Sequence, residues 1–208
     1  MAHSPVYPAA APTRPAVRAA LLIAVNEKLS KIACVGLPGS GKSTVGRQLA
    51  RRLNLPFIDS DQVVEQRIGC SIREFFEREG EASFRDLEQS ILDELTGNAQ
   101  ACVISTGGGA VLLPGNRKHL HERTIVVYLH SPPDEVFRRL RHDRNRPLLQ
   151  VADPLGKLHD LYQLRDPLYR ETAHLVIETG RPSVSALVNQ IVSQLERFDT
   201  GQVGELPV

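Results

Sequence analysis

Gly36-Leu37-Pro38-Gly39-Ser40-Gly41-Lys42-Ser43 is the stretch whose reading decides the fold of this chain. It matches the phosphate-binding pattern G-x-x-x-x-G-K-[ST] at every fixed position. Its flanks match too. Ahead of it, Lys31-Ile32-Ala33-Cys34-Val35 is short, apolar and β-branched, and reads as a buried strand. Behind it, Val45, Leu49 and Leu53 recur at helical spacing. In that order, strand, glycine loop and helix turn backbone N–H groups in around phosphate oxygens, and the positive end of the helix adds to them. Gly39, Ser40, Gly41, Lys42, Ser43 and Thr44 are therefore expected to hold the phosphates of a nucleotide. Lys42 is expected to reach the β- and γ-phosphates, and the Ser43 hydroxyl to ligate Mg²⁺.

Outward from the loop, strands and helices alternate. Pro56–Asp59, Ala101–Ser105, Thr124–Leu129 and Leu175–Ile177 read as further strands. The intervening helices are Gln62–Ile68, an amphipathic stretch from Ser71 to Leu95 broken at Gly80, a short one after Pro114 and one opened by Pro133. Another runs from Leu158, with Pro167 expected to interrupt or kink it, and Val184–Phe198 is the last. Ser71 with Glu74 forms a capping box. Such alternation implies right-handed βαβ crossovers and a parallel sheet covered on both faces. Three consecutive glycines, Gly107 to Gly109, follow the third strand and mark a place where backbone approaches something closely.

The 208 residues suffice for one α/β domain, expected over 31–198, with a disordered Ala- and Pro-rich extension before it and a frayed tail over 199–208. A net charge of +1 argues against a dominant nucleic-acid face. Cys34, Cys70 and Cys102 show neither C-x-x-C nor zinc spacing, so they read as reduced thiols of a cytoplasmic protein. Ala19–Val25 after Arg14 and Arg18 has the outline of a secretion signal, but Asn26-Glu27-Lys28 supplies no small-residue cleavage site. No stretch reaches the roughly 20 apolar residues of a membrane span.

A phosphate loop identifies a nucleotide and leaves the reaction open. No guanine-specifying N-K-x-D is present. The remaining motifs narrow the choice: Asp59-Ser60-Asp61, Glu79-Gly80-Glu81, Phe84-Arg85-x-x-Glu88, Gly107-Gly108-Gly109-Ala110, Arg146-Pro147-Leu148-Leu149 and Pro167-Leu168-Tyr169-Arg170. In this order they resemble the shikimate kinases over about residues 31–197. The resemblance implies ATP-dependent phosphorylation of the 3-hydroxyl of shikimate. It also implies a five-stranded parallel sheet of nucleoside-monophosphate-kinase type, order 2-3-1-4-5, with a mobile lid. Asp61 would hold the reacting hydroxyl and take its proton, with helix N-cap as its structural alternative. Asp59 and Ser43 would hold Mg²⁺, Asp59 through water.

Arg85 and Arg170 would clamp the shikimate carboxylate, because guanidinium forks match carboxylates. Their structural alternatives are helix pairs, Arg85 with Glu88 on a solvated face and Arg170 with Glu171 or Asp166. Gly107, Gly108 and Gly109 would present backbone to the acceptor, while Glu81 and Glu88 hold the arginines. Lid residue Arg146 would join Lys42 and Asp61 in catalysis, and Arg139 and Arg181 would meet adenine. The resemblance implies ATP and shikimate as partners; a cytoplasmic monomer with no nucleic-acid or membrane partner is the accompanying expectation. Two other readings are a gluconate kinase, against which the paired arginines and glycine triplet count, and a regulatory domain without catalysis, against which the intact motifs count.

Overall fold

The structure, a computed structural model, describes residues 30–141, 151–180 and 182–199. Strand β1 (Lys31–Val35) and helix α1 (Lys42–Leu53) flank the glycine loop. Then follow β2 (Phe57–Asp59), α2 (Ser60–Ile68), α3 (Ile72–Gly97), β3 (Cys102–Ser105), α4 (Pro114–Arg123), β4 (Ile125–His130), α5 (Pro133–Leu140), α6 (Pro154–Thr172), β5 (Leu175–Glu178) and α7 (Val184–Asp199). The five strands form one parallel sheet in the order β2-β3-β1-β4-β5, as the resemblance implies.

Side chains alternate across β1 and β4 and build a core on each face. Ile32, Cys34, Val127 and Leu129 meet Val45, Leu49 and Leu53 of α1 and Leu187, Val188 and Ile191 of α7. Ala33, Val35, Val126 and Tyr128 meet Leu120 of α4, Val136 of α5 and Leu158 and Tyr169 of α6. A smaller cluster of Val64, Phe84 and Ile91 ties α2 to α3. Each such aliphatic side chain, fully buried, stabilises the fold by about 1.5–3 kcal/mol.

Three local features bear on the site. Helix α3 opens with the expected capping box: Ser71 Oγ accepts from Glu74 N at 3.2 Å, and Glu74 Oε2 accepts from Ser71 N at 2.9 Å. Inside it, Gly80 leaves helical geometry at φ 80, ψ 174, so the expected break is present. Helix α2 starts at Ser60 rather than Gln62, because Asp59 is its cap; Asp59 Oδ1 accepts from Asp61 N at 3.2 Å. Asp61 therefore sits in the first turn, and the N-cap role belongs to its neighbour.

Pro167 neither interrupts α6 nor ends it. Gln163 and Pro167 are exposed, so water can meet the carbonyl that the missing N–H leaves, while buried Leu158 and Tyr169 hold both halves of the helix on the sheet. The segment before residue 30, Arg146 with its motif, Arg181 and the tail from residue 200 lie outside the described residues. Among the described residues no helix is long and apolar enough to cross a membrane. The carboxyl ends of β1, β2 and β3 lie side by side where the strand order reverses, the position at which open α/β sheets hold ligands.

Candidate active site

The glycine loop leads into α1 through Gly41, which caps the helix with φ 96 and offers no side-chain hydrogen bond. The first turn of α1 also carries no acidic residue. Its N–H groups and the positive end of the helix dipole are thus open to an anion. Ser40 N–H is engaged differently, closing a turn onto Leu37 O at 3.1 Å. Lys42, almost fully buried, folds back on its own loop and donates to Gly36 O and Leu37 O, both at 2.9 Å.

Ser43 Oγ donates to Asp59 Oδ2 at 2.8 Å and lies 3.2 Å from Ser105 Oγ. Three elements, α1, β2 and β3, thereby place hard oxygen atoms at one point, a donor set suited to Mg²⁺. A cavity of about 360 Å³ opens above them, walled by Gly39, Lys42, Ser43, Asp59, Asp61, Ser105 and Gly108 among others. Burial pushes the Asp61 carboxyl up to about 6. Asp59 adds to the rise, Lys42 opposes it, and Glu88 and Glu65 add smaller repulsions.

The glycine triplet joins the two sides of the site. A Cβ at Gly108 would lie 2.8 Å from Pro38 Cδ of the phosphate loop. At Gly107 it would lie 2.7 Å from Asp61 Oδ1 and 2.9 Å from Glu88 Oε1, and at Gly109 it would run into the Arg85 guanidinium. Gly107 N–H donates to Ser60 Oγ at 3.2 Å. Arg85 is held by Glu88 Oε2 at 2.7 Å and by Glu81 Oε1 at 3.0 Å, with its guanidinium carbon 5.1 Å from the Phe84 ring centre. The i,i+3 pair with Glu88 exists, but not on a solvated face, since Glu88 is 2% exposed. Burial raises the Glu88 carboxyl, against the opposing charge and hydrogen bond of Arg85.

Arg170 does not wall the cavity. Its Nε donates to Asp166 Oδ2 at 2.9 Å on its own helix, and Asp166 Oδ1 accepts from Tyr128 Oη at 2.8 Å. Arg139 of α5 donates to Thr179 O at 2.8 Å, just past the end of β5. Three residues that the sequence assigned no role also meet here. Ser105 ends β3 just before the glycines. Arg165 and Tyr169 of α6 both donate to Gly108 O, at 3.0 and 2.5 Å. Their four-residue spacing on one helix face was the available signal.

Fold and site together define a class: a phosphate-loop kinase of the nucleoside-monophosphate-kinase type. A family model described as "Shikimate kinase" matches residues 38–196. The shikimate kinase of Paracidovorax citrulli is 63% identical over 164 residues, covering 78% of this chain and 90% of the relative. That of Burkholderia pseudomallei is 59% identical over 162 residues, covering 78% and 88%. A solved shikimate kinase from Acinetobacter baumannii, in complex with shikimate, is 43% identical with a TM-score of 0.78, covering 88% of this chain and 99% of that one. A gluconokinase from Sinorhizobium meliloti, 18% identical at a TM-score of 0.54, shares the fold alone. The chain belongs to the shikimate kinase family, and it is an ATP-dependent kinase of shikimate.

Proposed function

We propose that the chain transfers the γ-phosphoryl group of ATP in line to the 3-hydroxyl of shikimate, with Mg²⁺ as cofactor. The observation that carries this reading is that Lys42, Ser43, Asp59 and Asp61 wall one cavity with the glycine loop. The donor rests on Gly39 to Thr44, and Lys42 leaves its loop carbonyls to meet the β- and γ-phosphates. Ser43 and Asp59 would hold the metal, which would supply positive charge to offset that of the phosphate oxygens.

Asp61 accepts the hydrogen bond of the reacting hydroxyl and aims its oxygen at phosphorus. A carboxyl at about 6 is ionised at neutral pH and more basic than an ordinary aspartate, which suits it to take the proton as the bond forms. Arg85, backed by Glu88, and half-exposed Arg170 take the shikimate carboxylate, and Gly107 to Gly109 let the ring approach the backbone. Arg146 closes over the transferring group, and Arg139 with Arg181 faces adenine; these three roles rest on the family resemblance. The near-neutral charge supports work on small molecules rather than nucleic acid, and a cytoplasmic monomer is part of the same proposal.

A coupled ADP-release assay offering shikimate or gluconate, with and without Mg²⁺, tests the reading. Release is expected with shikimate and Mg²⁺ together. No release above background with shikimate overturns it.

A further inference from the structure

Helix α1 carries a second recess on its flank. Ser43, Thr44, Arg47, Gln48 and Arg51 wall an open cavity of about 370 Å³. Ser43, Arg47 and Arg51 follow one another at four-residue steps, with Thr44 and Gln48 beside them, so the cavity runs about 12 Å down one helix face. Its upper end adjoins the catalytic cavity, which Ser43 and Thr44 also wall. Arg47, Gln48 and Arg51, at its lower end, have no part in the transfer reaction.

No carboxylate walls this cavity. Among the described residues neither Arg47 nor Arg51 pairs with one, whereas arginines on other helices do, Arg73 with Glu77 and Arg123 with Asp93. Like charges four residues apart destabilise a helix. Arg47 is nevertheless held in place, its guanidinium carbon 5.0 Å from the Phe57 ring centre. Gln48 is held as well. Its Nε2 donates to Ser185 Oγ of α7 at 2.9 Å, which leaves its second N–H for another acceptor. Two guanidinium groups, an amide and the Thr44 hydroxyl thus line one recess, and no anionic side chain lines it with them.

Such donors select a ligand by charge. A dianion offsets both arginines, a carboxylate only one, and a neutral polyol neither. Guanidinium forks also match phosphate oxygens in geometry. The volume lies at the small end of the range for small-molecule sites and admits a phosphate group with a small organic part.

We propose that this face of α1 is a second anion site, which takes a phosphate or phosphomonoester dianion between Arg47 and Arg51. An anion held there cancels the positive potential that the two arginines extend toward the glycine loop, and so weakens nucleotide binding. By reciprocity the nucleotide weakens phosphate binding by the same factor.

Calorimetric titration of the full chain tests it. The glycine loop itself takes phosphate, so the chain is first saturated with Mg²⁺ and β,γ-imido-ATP, which fills the loop through the γ-position, at an ionic strength fixed with sodium chloride. Failure to saturate refutes the nucleotide reading rather than this proposal. On the saturated chain inorganic phosphate is expected to bind once per chain with a Kd of about 1 mM, the strength of a few charge-assisted hydrogen bonds. Arg47→Gln and Arg51→Gln should each raise that Kd about 10- to 100-fold, the size of one lost charge-assisted bond. Both positions are exposed, so neither substitution opens the core. Glycerol 3-phosphate is the second titrant. A Kd below that of phosphate supports an organic phosphate as the occupant, and one at or above it supports the free ion. In initial-rate assays phosphate should raise KM for ATP more steeply in the parent than in Arg51→Gln, where competition at the glycine loop is all that remains. The proposal is overturned by phosphate heats no larger than those of added chloride, by a Kd that neither substitution changes, or by equal slopes in the two rate series.

Discussion

Asp61→Asn should make the protein more stable while removing most of its activity. The Asp61 carboxyl stands at about 6 against an ordinary 3.8, first because of burial and then because Asp59 lies beside it. That rise means ionising Asp61 in the fold costs about 3 kcal/mol, at about 1.4 kcal/mol per tenfold change in proton affinity. Asparagine keeps the shape and abolishes the charge. The sign follows from linkage. Between the two values the folded chain binds more protons than the unfolded one, so stability falls as pH rises through that window. The gain in Asp61→Asn is thus fully present above the folded value of about 6. It shrinks as pH falls and closes near the ordinary value. Urea unfolding at pH 8 should show Asp61→Asn more stable by up to about 3 kcal/mol, or roughly 5–10 °C in Tm for a domain of this size. At pH 4 the two proteins should nearly coincide. In the same variant ATP binding should persist while kcat falls by about 10²- to 10⁴-fold, the usual range for a positioned acid–base group. An Asp61→Asn protein equal to or weaker than the parent at pH 8 would falsify the claim that the site strains this carboxylate. A stability difference that does not change with pH would count against its electrostatic origin.

Two further substitutions probe the acceptor side. Gly109→Ala drives a methyl group into the Arg85 guanidinium, which Glu88 and Glu81 hold in place. It should raise KM for shikimate about 10-fold, roughly one charge-assisted hydrogen bond, and leave KM for ATP alone; an equal change in both, measured by the same coupled assay, would contradict this placement. Glu88→Gln breaks a pair in which the carboxylate is 2% exposed. Burial holds that carboxyl above its ordinary range in spite of Arg85, so by the same linkage the amide should keep or raise stability in urea unfolding at pH 7, and a loss near the roughly 3 kcal/mol of other broken buried pairs would show that the attraction to Arg85 outweighs the burial.

The donor half of the site was legible because its signal is local. Eight consecutive residues carry the loop, the flanking strand follows from a short continuous apolar run, and the helix from a period of 3.6. Strand existence was legible for the same reason, and Gly80 showed itself as a break because glycine is the residue that reaches φ 80 at little cost. The start of α2 was misjudged because Asp59 and Asp61 are the same residue type two positions apart. Only geometry shows that Asp59 spends one oxygen on the cap and the other on Ser43. Pro167 misled because local propensity argued against a helix that tertiary burial of Leu158 and Tyr169 sustains. The Arg85–Glu88 pair was visible as a spacing, but its burial depends on the glycine triplet, which arrives from β3.

The same geometry says how the acceptor is selected. Both arginines expected to take the shikimate carboxylate already hold a carboxylate of their own helix, Arg85 through Glu88 and Arg170 through Asp166. An incoming carboxylate gains less from such a guanidinium than from a free one, because part of its charge is already offset. In exchange the fork is pre-oriented, and little side-chain freedom is lost on binding. A neutral polyol such as a sugar gains neither the charge interaction nor the preset fork. Discrimination between acceptors of similar ring size would thus arise less from the cavity's volume than from guanidinium forks already oriented for a carboxylate.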